Sequence, residues 1–92
     1  MDITQSVVKI VMNGENLPFI AVQTSTWHRG PAYDLIISTK QRVHALYQFM
    51  WSQASITLAV SFLQGSDLRK LVRVTGIQER VRGEYLHHFS WE

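Results

Sequence analysis

Four arginines and several aromatic residues near the C-terminal end of this sequence could together recognise a negatively charged partner. Guanidinium groups bind carboxylate or phosphate through paired hydrogen bonds, and aromatic rings stack on unpaired nucleic-acid bases. The residues concerned are Arg69, Arg73, Arg80, Arg82, Phe89 and Trp91. The direction of the two rings therefore decides whether this region predicts a nucleic-acid site or a protein-binding surface.

A second candidate for partner binding is the polar loop at residues 25–31, which contains Trp27, His28 and Arg29. Exposed tryptophan and arginine are enriched among the residues that dominate the binding energy of protein interfaces. The same loop could equally fold back as a lid over the core. The sequence alone favours neither arrangement.

The adjacent pair His87-His88 raises the question of a metal site. Neighbouring residues of a strand point to opposite faces, so both imidazoles cannot readily bind one ion, and no third ligand lies at a usable spacing. The sequence also lacks the G-x-S-x-G, H-E-x-x-H, P-loop and G-x-G-x-x-G motifs. We therefore predict that the protein is not an enzyme and that it has no catalytic residues, no metal and no cofactor.

The composition fits a single domain at residues 1–92. With 46% hydrophobic but only 17% charged residues, the chain can bury a modest core but has few charges to cover its surface, which favours a face covered by a partner. The net charge of +2 is a small excess for a nucleic-acid binder, and the absence of cysteine excludes disulfides and thiol catalysis. We see no signal peptide or membrane span, and expect a cytoplasmic protein, or one assembled into a virion or secretion particle.

Short β-type runs separated by turns must position the candidate residues. Residues 7–12 are rich in β-branched side chains and end at Asn13-Gly14, a strong hairpin signal. Residues 17–24 are predicted to run back as the second strand, and residues 33–37 to form the third.

One helix is predicted to interrupt the strands. Residues 38–41 read Ser-Thr-Lys-Gln, which matches the capping box that begins many helices. The apolar residues at helical spacing are Val43, Leu46, Tyr47 and Met50. Phe49 and Trp51 widen this apolar face, so we expect the helix to be wedged against the sheet.

Three more strands are predicted after the helix. Residues 56–62 alternate between apolar and polar, residues 68–81 follow a turn, and an aromatic strand closes the chain. The order βββ-α-βββ predicts an α+β fold: a small antiparallel sheet, strongly twisted or partly closed as a β-barrel, with one helix.

The long strand changes phase at Gly76. Before it, Val72 and Val74 share one face; beyond it, Ile77 and Val81 are predicted to point inward. One extra residue at Gly76 would account for the shift, because glycine is common at β-bulges. All four arginines would then lie on the outer face, namely Arg69, Arg73, Arg80 and Arg82.

The turn at Gly83 decides which face the closing strand presents. A two-residue loop of Arg82 and Gly83 would place Phe89 and Trp91 beside the arginines. A three-residue loop that begins at Val81 would turn them inward. We favour the longer loop, because burying aromatic rings dominates the energetics of so small a core and arginine is poor at a positive φ.

From about residue 31 onward, the order of these patterns resembles the first barrel domain of phage tail hub proteins and of the related spike proteins of type VI secretion. The segments that carry the resemblance are AYDLIIS, SITLAV, RKLVRVTGI and EYLHHFSW. The predicted helix is longer than that family's usual short turn, and the sequence contains none of the family's additional domains. The resemblance implies a single barrel that packs within a tail, baseplate or secretion ring.

We therefore predict a non-enzymatic structural or interaction module that binds a protein partner or itself as a homo-oligomer. Its contacts would use Trp27, His28 and Arg29 together with the four arginines of the outer face. Two alternatives stay open. One is a single-stranded nucleic-acid-binding domain that uses those arginines with Phe89 and Trp91, and the other is a small inhibitor that occludes a host complex.

Overall fold

The computed structural model of the chain describes residues 1–24 and 34–91. In order, their elements are β1 (Val7–Met12), β2 (Glu15–Asn16), β3 (Ala21–Gln23), β4 (Asp34–Thr39), α1 (His44–Ser52), β5 (Ser55–Phe62), β6 (Leu68–Glu79) and β7 (Tyr85–Ser90). A short 3₁₀ turn, Thr4–Ser6, precedes β1. The helix α1 has nine residues, and no helix within the described ranges is long and apolar enough to cross a membrane.

The seven strands form one antiparallel sheet in the order β2-β1-β5-β6-β7-β4-β3. The predicted α+β class, a small antiparallel sheet with one helix, is therefore confirmed. The predicted barrel is not confirmed, because the edge strands β2 and β3 do not pair with each other within the described residues.

The short connection between β2 and β3 requires this sheet to curl. The two strands lie at opposite edges of the order, and six strand spacings in a flat sheet would separate them by about 29 Å. The chain from Asn16 to Ala21 can span only about 18 Å. The sheet therefore curves until its edges approach each other, which gives it an inner and an outer face.

The residues before β1 lie along the edge of β3 that β4 leaves free. The Ile3 N–H donates to the Val22 carbonyl at 2.9 Å, and the N-terminal ammonium group donates to the Thr24 carbonyl at 2.7 Å. Hydrogen bonds from the Thr4 hydroxyl and amide to Asp2 shape this segment and lower the pKa of the Asp2 carboxyl. The edge of β3 is thus covered, which removes a site for unwanted strand pairing.

The Asn13-Gly14 hairpin is confirmed, with positive φ values of 49° and 82° at its two central residues, as a two-residue turn of this kind requires. The single strand predicted at residues 17–24 is wrong. The chain pairs with β1 only through β2, passes through Pro18, and then pairs with β4 as β3. Proline has no N–H to donate to a strand ladder, which favours a break at this point. The observed order is ββββ-α-βββ.

The predicted capping box is also wrong. Ser38 and Thr39 belong to β4, where both pair with β7, and the Thr39 hydroxyl donates to the Gln41 carbonyl at 2.8 Å. The helix begins later, at His44, and its N-cap residue Val43 provides no side-chain cap. Strand pairing on both edges of Ser38 outweighs the local capping preference.

The inner face of the curled sheet forms the hydrophobic core. The alternation predicted for β5 and β6 is confirmed, and its buried residues are Ile56, Leu58, Val60, Val72 and Val74. From α1, Leu46 enters this core fully buried, and Val43, Phe49 and Met50 pack against it. The helix therefore closes the core against the sheet, as its apolar stripe predicts.

The predicted bulge in β6 is confirmed, because the pairing of β6 with β7 shifts register between Val74 and Gly76. Beyond the bulge, Ile77 packs against the core. Val81 does not: it is fully exposed in the loop after β6, so its predicted inward position is wrong. The strand ends at Glu79, and a residue beyond the ladder has no face of the sheet to point into.

Candidate interaction surfaces

The outer face of the sheet is most exposed along the first half of β6. Arg69, Leu71 and Arg73 are exposed at alternate positions, opposite short side chains of β5. Leu71 is 66% exposed between the two arginines. Arginine stems beside an aliphatic side chain make a mixed apolar and basic surface, which is a composition found at protein interfaces.

A groove of about 400 Å³ lies beside Arg73 on this face. It is lined by Ser55, Leu71, Arg73, Thr75, Ser90 and Trp91. Ser55 and Ser90 are the cross-strand neighbours of Arg73 on its two sides. Hydroxyl and guanidinium groups all donate hydrogen bonds, and among the described residues no carboxylate lines this groove. The groove therefore suits the carboxylate of a partner better than a cation.

Arg42 provides the contrast to these outer arginines. Its guanidinium forms an ion pair with Glu79, with their nearest atoms 2.5 Å apart, and lies 5.6 Å and 5.8 Å from the ring centroids of Tyr47 and Tyr85. The hydrogen bond to Glu79 raises the pKa of Arg42 above its ordinary value. Within the described ranges, no ion pair involves Arg69, Arg73, Arg80 or Arg82.

Arg80 and Arg82 lie apart from this surface, in the loop after β6. The predicted three-residue loop is confirmed, because Gly83 has a φ of 80° and the Arg80 N–H donates to the Glu84 carbonyl at 2.8 Å. Seven residues of extended chain separate Arg73 from Arg80, a distance of roughly 20 Å. The four arginines therefore form two separate pairs rather than one continuous stripe.

The closing strand β7 turns its rings inward, as the longer loop predicts. Phe89 is fully buried, opposite Leu35 of β4 and Val74 of β6. Trp91, just beyond β7, belongs to the core and is 9% exposed where it lines the groove beside Arg73. Neither ring is free to stack on a base in this structure. The nucleic-acid alternative therefore loses the aromatic part of its predicted site.

His87 and His88 point to opposite faces of β7. His87 is fully buried; its Nδ1 donates to the Ile37 carbonyl at 2.9 Å, and its buried Nε2 has no hydrogen-bond partner among the described residues. Burial lowers the pKa of the His87 imidazole, because the charged form loses its hydration. In the part of the chain that the structure describes, no three potential metal ligands come together.

Trp51 is an exposed residue that the sequence interpretation placed wrongly in the apolar face of the helix. It is 73% exposed and contacts the ring of Tyr47, with the two centroids 6.0 Å apart. At 3.6 residues per turn, Trp51 lies about 140° around the helix from the buried Leu46. A helical wheel centred on Leu46 would have placed Trp51 on the surface.

A larger groove, about 540 Å³ in volume, lies between the β2–β3 connection and the segment that joins β4 to α1. Its lining includes apolar and basic side chains, namely Phe19, Ile20, Val43, Lys40, Arg42 and His44. No sequence pattern identified this groove, because its two walls come from segments that meet only in the folded chain.

The remaining predicted contact, the loop with Trp27, His28 and Arg29, lies outside the described residues. It stays a prediction. The surfaces that the structure does describe are therefore the outer face of β6, the loop after it and the groove beside α1.

No family model, curated protein or solved structure matches this chain. The resemblance to phage tail hub and type VI secretion spike proteins therefore stays a prediction. The exposed surfaces of the molecule are the basis on which a function can be proposed.

Proposed function

We propose that this protein is a non-enzymatic interaction module that binds a second copy of itself or a partner protein through the outer face of β6. The observation that supports this most directly is the exposed row of Arg69, Leu71 and Arg73, whose arginines have no carboxylate partner within the described residues. The guanidinium fork bonds carboxylates in pairs while the stem packs on apolar groups. A partner with acidic and apolar side chains would complement this row.

The environment of Arg42 supports a binding role for these outer arginines. Arg42, an arginine that makes contacts within the chain, has Glu79 and two tyrosine rings around its guanidinium. The cross-strand neighbours of Arg73 are serines instead, and no carboxylate in residues 1–24 and 34–91 pairs with its guanidinium. Arg73 also lines a groove together with the hydroxyl groups of Ser55, Thr75 and Ser90, which could bind the same carboxylate.

The sequence resemblance supports a place for this module in a phage tail, baseplate or secretion assembly. In such a ring, a small barrel-like sheet packs its faces and loops against neighbouring subunits. The curl that brings β2 and β3 within reach of a four-residue connection is compatible with a partly closed shape. A small inhibitor of a host complex would use the same surface and would differ in its partner.

Single-stranded nucleic-acid binding is the weaker candidate. The unpaired arginines would favour phosphate contact, but the burial of Phe89 and Trp91 removes the stacking platform. Phosphate binding by several arginines would make affinity fall steeply with salt, whereas an interface with an apolar component responds less.

A pair of charge reversals on opposite faces of one strand tests the proposal. We expect wild-type protein to self-associate with rising concentration in size-exclusion chromatography with light scattering, and Arg73→Glu to shift it toward monomer. Lys70→Glu is the matched control, because Lys70 is exposed on the same strand but pairs with the inward-facing Leu58. The control should associate like wild type.

Two results would count against this function. A wild type that stays monomeric at every concentration would exclude self-association, and equal losses for Arg73→Glu and Lys70→Glu would show that only net charge matters. Binding of a labelled single-stranded oligonucleotide that declines steeply between low and high salt would favour the nucleic-acid alternative.

A further inference from the structure

The groove beside α1 forms where two segments distant in sequence come together. The Ile20 N–H donates to the Ser38 carbonyl at 2.8 Å, which ties the segments to each other. Next to this bond lies a cavity of about 540 Å³, a volume in the range of ligand-binding sites. It shares no lining residue with the groove beside Arg73.

The apolar wall of this groove is held in place by the core. Phe19 and Val43 are partly buried and pack against the core residues, while Ile20 is 37% exposed. Side chains already fixed by packing lose little conformational freedom when a ligand binds. The groove can therefore receive an apolar side chain without first being ordered.

The charge around the groove is positive. Its positive charges are those of Lys40 and Arg42, and no carboxylate of the described residues lines it. Arg42 is already paired with Glu79, whereas Lys40 has no ionic partner in the described part of the chain. The charge that a ligand would complement is therefore centred on Lys40.

The backbone at Lys40 is also unpaired. β3 begins only at Ala21, opposite Ser38, so none of the described strands pairs with this edge of the chain at residues 40–42. In residues 1–24 and 34–91, the N–H groups of Lys40, Gln41 and Arg42 donate to no protein acceptor. Backbone N–H groups beside a cation form the kind of site that captures a terminal carboxylate.

We propose that this groove binds the C-terminal end of a partner chain. The terminal carboxylate would accept hydrogen bonds from the backbone at residues 40–42 and pair with Lys40, while the last side chain, an apolar one, would contact Phe19, Ile20 and Val43. This proposal rests on the protein being an interaction module, but it assigns a different surface from the outer face of β6. The partner is thus defined by a free carboxylate on a hydrophobic last residue.

Fluorescein-labelled peptides Gly-Ser-Ser-X, with X as Val, Leu, Ile or Phe, test this site by fluorescence anisotropy on the full chain. We expect at least one peptide with a free carboxylate to bind about tenfold more tightly than its C-terminal amide, since losing a charge-assisted contact has an effect of this order. Gly-Ser-Ser-Ser, which has a free carboxylate but a polar last residue, should bind no more tightly than the amide of the best peptide. Amide signals that shift on titration in NMR spectra should map to residues 19–20 and 39–44.

Two lysine variants sharpen the test without altering the core. Lys40→Glu should weaken binding of the best peptide about tenfold or more, and Lys9→Glu, an exposed lysine outside the groove, should leave it unchanged. Equal binding of acid and amide, shifts that map elsewhere, or no binding by any peptide would overturn the proposal. Decanoate binding more tightly than every peptide would also overturn it, in favour of a small-molecule site.

The two proposals can fail separately. Arg73→Glu should abolish self-association yet leave peptide affinity unchanged, because Arg73 does not line this groove. If the wild-type protein self-associates but binds no peptide, only the proposal of a peptide site in the groove is overturned. If the wild-type protein binds the peptide but stays monomeric at every concentration, the groove proposal stands and self-association through β6 is overturned.

Discussion

The two faces of the β6–β7 pair carry alternate residues of the same strands and have opposite environments. Val74 and Phe89 are buried on the inner face, whereas Arg73 and Leu71 are exposed on the outer face. On either side of the bulge at Gly76 the two strands keep one register, so the choice of register sets both faces at once. Inner residues thus determine stability, and outer residues can change to suit a partner at little cost to the fold.

Truncating one apolar side chain on each face should give the largest difference. We expect Phe89→Ala to lower the free energy of unfolding by about 3–5 kcal/mol, because it leaves a cavity in a closely packed core. Leu71→Ala should change it by no more than about 0.5 kcal/mol, as is usual at exposed sites. Urea denaturation measures both, and losses of similar size would contradict the assignment of faces.

Acid should destabilise the protein through the inner histidine. His87 has a folded-state pKa below the 6.5 of an ordinary imidazole, so it releases its proton more readily when folded. Its contribution to stability is therefore complete above about pH 6.5 and falls as the pH drops from there toward the folded-state pKa. The melting temperature should accordingly be lower at acid pH than at neutral pH.

Variants of the two adjacent histidines show whether the pH dependence comes from the inner or the outer face of β7. His87→Asn should reduce the difference in melting temperature between neutral and acid pH, while His88→Asn, on the opposite face, should retain it. Equal pH dependence in wild type and His87→Asn would show that other groups control acid stability.

The loop that sets the face of β7 should show a smaller effect. Gly83 has a φ of 80°, and an alanine there would cost about 1–2 kcal/mol, because its Cβ crowds the backbone in this conformation. Gly76→Ala is a suitable control, because Gly76 has no positive φ and an added Cβ would meet no atom within 4 Å. If both substitutions lower thermal stability equally, the positive φ of Gly83 is not the reason for the cost of replacing it.

The features predicted correctly from sequence depend on interactions between near neighbours. The Asn13-Gly14 turn and the left-handed Gly83 follow from the conformations that those residues tolerate. The phase change at Gly76 was visible because apolar residues alternate on both sides of it. In each case the physical constraint acts within a few residues.

The wrong predictions involve a choice of distant partner. Residues 17–24 read as one strand, but β3 pairs with β4 and not with β1. Ser38 and Thr39 read as a helix cap, but both pair with β7, and Ser38 also pairs with β3 on its other side. Local propensity cannot weigh these pairings, because the partners are unknown until the sheet forms.

The candidate sites divide in the same way. The exposure of Arg69 and Arg73 followed from alternation along β6, whereas their separation from Arg80 and Arg82 depends on where that strand ends. The groove beside Lys40 could not be predicted at all, since its walls are brought together by the bond from Ile20 to Ser38.

The sequence by itself determined which residues alternate and where the tight turns fall, because apolar burial and allowed backbone angles act residue by residue. For the rings of Phe89 and Trp91 it favoured the core but left the outer face open, and the structure decided between the two. Only the tertiary structure decided the order of the strands, the curl of the sheet and the position of the grooves. Those features depend on hydrogen bonds between segments far apart along the chain, and on a connection from Asn16 to Ala21 too short to cross a flat sheet.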